Sequence, residues 1–339
     1  MTHRRLLVLL SVLLVALLLT IPVAGQAPAA GAKAQPAAKA YKAPRTPDGQ
    51  PDLQGYWTNS SYVPLERPNG VTKEFYTPEE AAAVAKRGAD RDAEQTVPGT
   101  TGDVHYDFTQ FGLDRSQNPF AASLRTSQIV DPADGKVPPL TAEAQKRTAG
   151  AGQRGRPRTD QYDAVQNMPV GSRCIVMNGS GPPLQSAGYN ANYQIVQGAG
   201  AVMILTEMIH DARVIPLDGR PHRPNGVNAW SGDSVGRWEG ETLVVETTNF
   251  GQRNPFRGAS NDLRVIERFT RTAEDTIKYQ FTIEDEKTWT RPWTAELPMA
   301  KSVGPIFEFA CHETNYGIAN ILAGAREDEK RAAAARKTN

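Results

Sequence analysis

The sequence predicts a mainly β protein, an antiparallel barrel or closely related sandwich with short peripheral helices. Three observations lead there. Short runs rich in Val, Ile, Thr, Tyr and Phe recur from residue 190 onward, divided by turn residues at regular spacing. Within DTIKYQFTIED, Ile277, Tyr279, Phe281 and Ile283 alternate with Lys278, Gln280 and Thr282, the two-residue period of a strand with one buried face. Helical signals are confined to a few flanking stretches, and a meander this long closes on itself or folds over to hide its edges.

The elements follow in chain order. Arg4 and Arg5 precede an apolar run over residues 6–23, and Val23 and Gly25 suit a signal-peptidase site. Residues 1–25 therefore read as a signal peptide of a periplasmic or secreted protein. The run is long enough that an uncleaved membrane anchor stays open. Residues 26–44 are Ala, Pro and Lys with almost nothing to bury, a linker. A single β-rich domain is expected over 45–325, opening with an irregular N-terminal wrap, and 326–339 read as a polar helical tail. Thr77, Pro78 and Glu80 make a capping box for a surface helix. Asp131-Pro132 and Pro138-Pro139 forbid long elements, Thr141 caps a short helix, and 150–161 is a loop. Three hairpins come next: YQIVQ with AVMILTEMIH around GAG, VGRW with ETLVVETTNF around Glu239-Gly240, and DLRVIERFTR with DTIKYQFTIED around TAED.

Composition narrows the function little. The formal charge of +1 gives no electrostatic reason to expect nucleic acid as a partner. Two cysteines, Cys174 and Cys311, favour a disulfide in an exported chain, against the alternative of two buried thiols. A bridge closing so long a loop contributes about 4–5 kcal/mol in the chain-entropy picture.

Gly55-Tyr56-Trp57, on the first strand of an antiparallel barrel, resembles the G-x-W mark of lipocalin-like proteins. That resemblance implies a Trp closing one end of the barrel beneath an Arg. The chain from 125 to 324 also resembles a family of secreted, uncharacterised proteins of soil and environmental bacteria. RTSQIVDPADGKVPPLT, EMIHDARVIPLDGRPH, GRWEGETLVVETTNF and CHETNYGIANILAGAR carry it. It implies kinship and export, and no activity.

Function has to come from the residues. TEMIHDARVIPLDGRPHRPNG, residues 206–226, holds two of the five histidines among aspartates and arginines. Read as one strand, 201–211 puts Glu207, Ile209 and Asp211 on one face, with Arg213 following that parity. His210 then points the other way, among Val202, Ile204 and Met208. Asp218, Arg220 and His222 follow, then Trp230, Asp233 and Arg237. Loops at a barrel mouth grip ligands, but ion pairs that merely orient the loop need the same composition. Glu267 lies on the apolar face of LRVIERF, so it must be paired with an arginine or protonated. His312 and Glu313 directly follow Cys311, and the bridge would bring them to Arg173 and Asn178.

Three chemistries compete. Acid–base catalysis would use His210, with Asp211 or Glu267 assisting and Arg213 or Arg220 holding negative charge. Asp218, Arg220, His222, Trp230, Asp233 and His312 would bind the ligand. A metal site would draw on His210, His222 and His312, but their spacing matches no zinc motif, and no cofactor is expected. Ser231 and Ser234 lack a G-x-S-x-G frame, and phosphate or dinucleotide fingerprints are absent. The expectation is an exported barrel that binds a small organic molecule and acts on it as a hydrolase, lyase or isomerase. Its rival is a carrier that binds without chemistry.

Overall fold

The structure is a computed structural model, which describes residues 41–94, 99, 121–149, 161–177, 179–186, 190–251, 256–313 and 315–337. The expected signal peptide, nearly all of the expected linker and most of the loop expected at 150–161 lie outside the described residues.

Among the described residues ten strands form one sheet. They are β1 (Gly55–Thr58), β2 (Ile129–Asp131), β3 (Asn192–Gln197), β4 (Ala201–Thr206), β5 (Ala212–Pro216), β6 (Asp233–Glu239), β7 (Thr242–Thr248), β8 (Arg264–Ala273), β9 (Thr276–Glu284) and β10 (Trp293–Lys301). Nine run in the order β5-β4-β3-β1-β10-β9-β8-β7-β6, and β2 pairs with β10 off that path. Every ladder is antiparallel. β5 and β6 end side by side, so the fold is the nearly closed antiparallel barrel that the sequence predicts. The three expected hairpins are β3–β4, β6–β7 and β8–β9. Helices are peripheral: α1 (Pro78–Glu94), α2 (Ala142–Ala149) and α3 (Tyr316–Lys337). Thr77 and Glu80 close the capping box on α1 with reciprocal bonds of 3.3 and 2.8 Å, and Thr141 Oγ1 caps α2 at 3.1 Å. None of the helices among the described residues is long and apolar enough to cross a membrane.

Alternation packs the barrel. Trp57, Tyr193, Phe269, Tyr279, Phe281 and Trp293 point inward and are fully buried, with Ile, Leu and Val from β2–β5 and β7–β10 between them. At one end Trp57 donates to Leu53 O at 2.9 Å, and the Arg271 guanidinium lies 5.6 Å from the centre of its ring. Arg271 also donates to the carbonyls of Asp52, Ala273 and Glu274, so it ties the stretch before β1 to the β8–β9 turn beneath that end. This is the arrangement that the G-x-W resemblance implies. At the other end residues 179–186 reach into the barrel. Leu184 is buried, its N–H donates to the Tyr279 hydroxyl at 2.8 Å, and its carbonyl accepts from Asn59 at 2.9 Å.

One expectation is overturned. Residues 201–211 are not one strand: β4 stops at Thr206, and the chain reverses through a short 3-10 turn, Met208–His210. Ile209 and His210 take φ of 67° and 56°, left-handed values that let Ala212–Pro216 fold back and pair with β4. The reversal therefore separates Glu207 from Asp211 and Arg213, and His210 is exposed on the turn rather than set among Val202, Ile204 and Met208. The apolar alternation of AVMILTEMIH hides this break, because neither residue at positive φ is a glycine.

Replacing Arg271 by Met should leave three carbonyls without their donor. A loss of about 2 kcal/mol in urea unfolding is expected, with an unchanged m-value. An unaltered midpoint would show that water replaces the guanidinium at no cost.

Candidate functional site

The site begins with a parity constraint. Nine strands give eight antiparallel steps, so β5 and β6 run in the same direction. A hairpin cannot join such neighbours. Residues 217–232 instead cross from the end of β5 to the start of β6, over the outer face of β6 and β7. Asn249 pins this crossover by donating from Nδ2 to the carbonyls of Arg223, Pro224 and Val227. At the lower end of the seam the strands meet at Gly236, where a Cβ would lie 2.8 Å from methyl carbons of Ile215 and Leu217. At the upper end they part, and a cleft opens.

Below that cleft Arg213 points inward from β5. It pairs in both directions with Glu267 of β8, which is wholly buried; the contact to Glu267 Oε1 is 3.1 Å, and the Nη1–Oε2 contact is the closer one. Tyr279 donates to Glu267 Oε1 at 2.7 Å. Burial, reinforced by the adjacent Glu267 charge, keeps the Tyr279 phenol well above its usual range, so it stays a donor. Burial also raises the Tyr193 phenol nearby.

A second charge cluster holds the crossover against the outer face. Asp233 accepts from Arg220 at 2.8 and 3.2 Å, from the Arg223 N–H at 3.0 Å and from His222 Nδ1 at 3.2 Å. Burial pushes the Asp233 carboxyl up, but these donors outweigh it and hold it down at about 2. His222 Nε2 faces Glu246 at 3.4 Å, and Glu246 is itself bonded to Arg264 at 2.6 Å. That Arg264 bond, helped by His222, lowers the Glu246 carboxyl. Asp218 closes the turn after β5 by accepting the Arg220 N–H at 3.1 Å.

Three clefts surround these groups. The seam cleft, about 600 Å³, is lined by Asp211, Arg213, Arg220, Arg223, Asp233 and Ser234 among others. The second, about 410 Å³, lies at the barrel end between residues 169–185 and Trp230, Phe250 and Phe256, and Ser231 lines both. The third, about 290 Å³, gathers His210, Asp211, Glu308, His312 and Glu313 around the Cys174–Cys311 disulfide. That bridge spans 137 residues and joins the barrel-end segment to the stretch before α3, where Asn315 also donates to Ser172 O at 2.8 Å. Asn178 lies outside the described residues.

The expected residues thus divide among places. His210, Asp211 and His312 share the disulfide cleft, Arg213 and Glu267 form the interior pair, and Arg220, His222 and Asp233 clamp the crossover. Trp230 walls the barrel-end cleft. Acid–base chemistry joining His210 to Glu267 is not assembled, because one is exposed on a turn and the other is sealed inside the barrel. The three-histidine metal set is corrected too: His222 sits on the outer face of β6–β7, apart from His210 and His312. Among the described residues no group of three or more His, Cys, Asp or Glu is placed to hold a metal ion. Sequence reasoning passed over Arg223, Glu246, Asn249 and the role of Tyr279, and weighed Ser231 only as a nucleophile. For Arg223 a signal was present, since it adjoins His222 in the same charged stretch. For Glu246 and Tyr279 only the register decides the partner.

Glu207, in the overturned strand, is buried and accepts from Asn192 at 2.6 Å, and its burial raises its carboxyl. Comparison of the chain with protein-family models, curated proteins and solved structures found no significant match.

Two outcomes follow from the charge clusters. The Asp233 carboxyl titrates near 2 folded, against 3.8 ordinarily, so its contribution is complete above pH 3.8 and is lost as pH falls toward 2. That loss should amount to about 2 kcal/mol; Asp233→Asn should flatten the corresponding fall in near-UV-monitored stability. Glu267→Gln should cost about 3–5 kcal/mol by stranding Arg213, while Arg213→Met with Glu267→Met should cost less than either single change. Additive single and double losses would dismiss the pair.

Proposed function

We propose that this chain is an exported binding protein for a small organic molecule, and that the molecule sits at the barrel end rather than in the barrel's interior. The observation that carries this reading is the cleft of about 410 Å³ walled by Val170, Met177, Trp230, Phe250 and Phe256. It falls within the size range of small-ligand sites; apolar side chains form its walls, while polar atoms, those of Gln185, Ser231 and Arg257 among them, make up somewhat more than half of its lining surface. Trp230 stands 38% exposed at its mouth, a large apolar surface ready to be covered. The interior is a poorer candidate, since aromatic side chains and the Arg213–Glu267 pair fill it. Export is supported by the disulfide and by the N-terminal charge and apolar pattern. Kinship with the secreted bacterial family remains part of this proposal, resting on the motifs quoted above.

A second reading, acid–base turnover, draws on one observation: His210 and His312 share a cleft with Asp211 and Glu313. Native mass spectra of the exported chain decide between them. A carrier should retain an organic adduct, with Trp230→Ala weakening retention roughly tenfold or more. His210→Ala and His312→Ala should leave that retention unchanged. Turnover of the captured compound that disappears in the histidine variants would favour the enzyme, and retention insensitive to Trp230 would remove the barrel-end site.

A further inference from the structure

We infer that the seam cleft is a carboxylate receptor, and that the ligand is an amphipathic organic acid, an aryl-alkyl carboxylate, whose apolar body lies in the barrel-end cleft. This rests on the binding reading above and names the class of ligand.

The argument is an inventory of hydrogen-bonding groups. The buried carboxylates around the seam have spent their oxygens: Glu267 accepts from Arg213 and Tyr279, and Asp233 accepts from Arg220, His222 and the Arg223 N–H. The donors have not been spent. Glu267 takes one N–H from each terminal nitrogen of Arg213. Its Nε–H and the second hydrogen on each terminal nitrogen are uncommitted among the described residues, although only 12% of the side chain is exposed. A desolvated guanidinium with unused donors favours an acceptor. Arg223 adds a second fork. Its Nε lies 3.4 Å from Asp233 Oδ1, its terminal nitrogens are free of any bond among the described residues, and its side chain is 56% exposed over the same cleft.

Geometry then fixes the other half of the ligand. Ser231 lines both the seam cleft and the barrel-end cleft, so a molecule can lie across it with one end in each. A planar carboxylate matches the arginine fork in bidentate fashion. The opposite end meets Trp230, Phe250 and Phe256, which suit an aromatic ring. Among the described residues Asp211 is the one acidic side chain at the cleft with an oxygen left over; it is exposed at the rim and accepts the Ala212 N–H at 2.9 Å. It disfavours groups of higher negative charge there, which points to a monoanion.

The test uses the exported chain with its disulfide intact, and 6-phenylhexanoate and 6-phenylhexan-1-ol as probes, titrated calorimetrically. The acid should bind roughly tenfold or more tightly than the alcohol. Arg223→Gln, which keeps the backbone bond to Asp233 and leaves Arg213 in place, should lower the acid's affinity several-fold without altering the alcohol's. Trp230→Leu should weaken both probes together. Equal binding of acid and alcohol would overturn the carboxylate receptor while leaving the barrel-end site standing, and so would an acid preference that Arg223→Gln leaves undiminished. Failure of both probes to bind would overturn the binding reading itself.

Discussion

The constraint on which this structure depends is the odd number of strands in a sheet whose ladders are all antiparallel. The first and last strands of such a path point the same way, so the barrel cannot close with another hairpin. The chain has to travel back outside the barrel between β5 and β6, and residues 217–232 do so. Their polar composition follows from that route. A segment lying on the outer face of a sheet cannot be held by a shared core, and here it is held by charge: Arg220, His222 and the Arg223 backbone converge on Asp233, and Asn249 binds three carbonyls. The charged stretch that resembles an active site is thus, in large part, the fastening of a parallel seam.

The seam also explains why an ion pair is buried in a barrel otherwise packed with aromatic and aliphatic side chains. With no ladder to join β5 and β6, β5 is an edge strand. The pairing of Arg213 with Glu267 crosses the interior and holds that edge to β8, and through Tyr279 and the Leu184 N–H it reaches the segment that stops the barrel end. Desolvating two charges is costly, and a hydrophobic pair would pack at no such penalty. What the ion pair adds is direction: a bidentate fork with a third donor admits one register of β5, where methyl groups would tolerate several. The same placement leaves part of the guanidinium facing the gap between the strands, so a structural fastening and a receptive surface share one side chain.

Much of the architecture was legible in the chain. The period-two pattern of β9, the Glu239-Gly240 turn and the capping box at Thr77 are local signals, and each is found where it was expected. Glu267 was legible as a problem, a carboxylate on an apolar face, but its solution lay with an arginine 54 residues away. The strand reversal at 207–211 was not legible, because it depends on Ile209 and His210 adopting positive φ under tertiary pressure. The grouping of histidines failed for the same reason. Nearness in sequence put His210 with His222, whereas the reversal and the disulfide put His210 with His312.

By itself, the sequence determined the strand-rich class, the hairpins, the helix caps and the two cysteines, since each depends on contacts within a few residues or on the chemistry of one side chain. Tertiary structure alone decided the seam, the partners of Glu267 and Asp233, and the scattering of the expected site residues among the disulfide cleft, the barrel interior, the crossover clamp and the barrel-end cleft. Those depend on how many strands close the barrel and in which direction each runs. Strand number and direction are properties of the whole sheet, and no short stretch of residues encodes them.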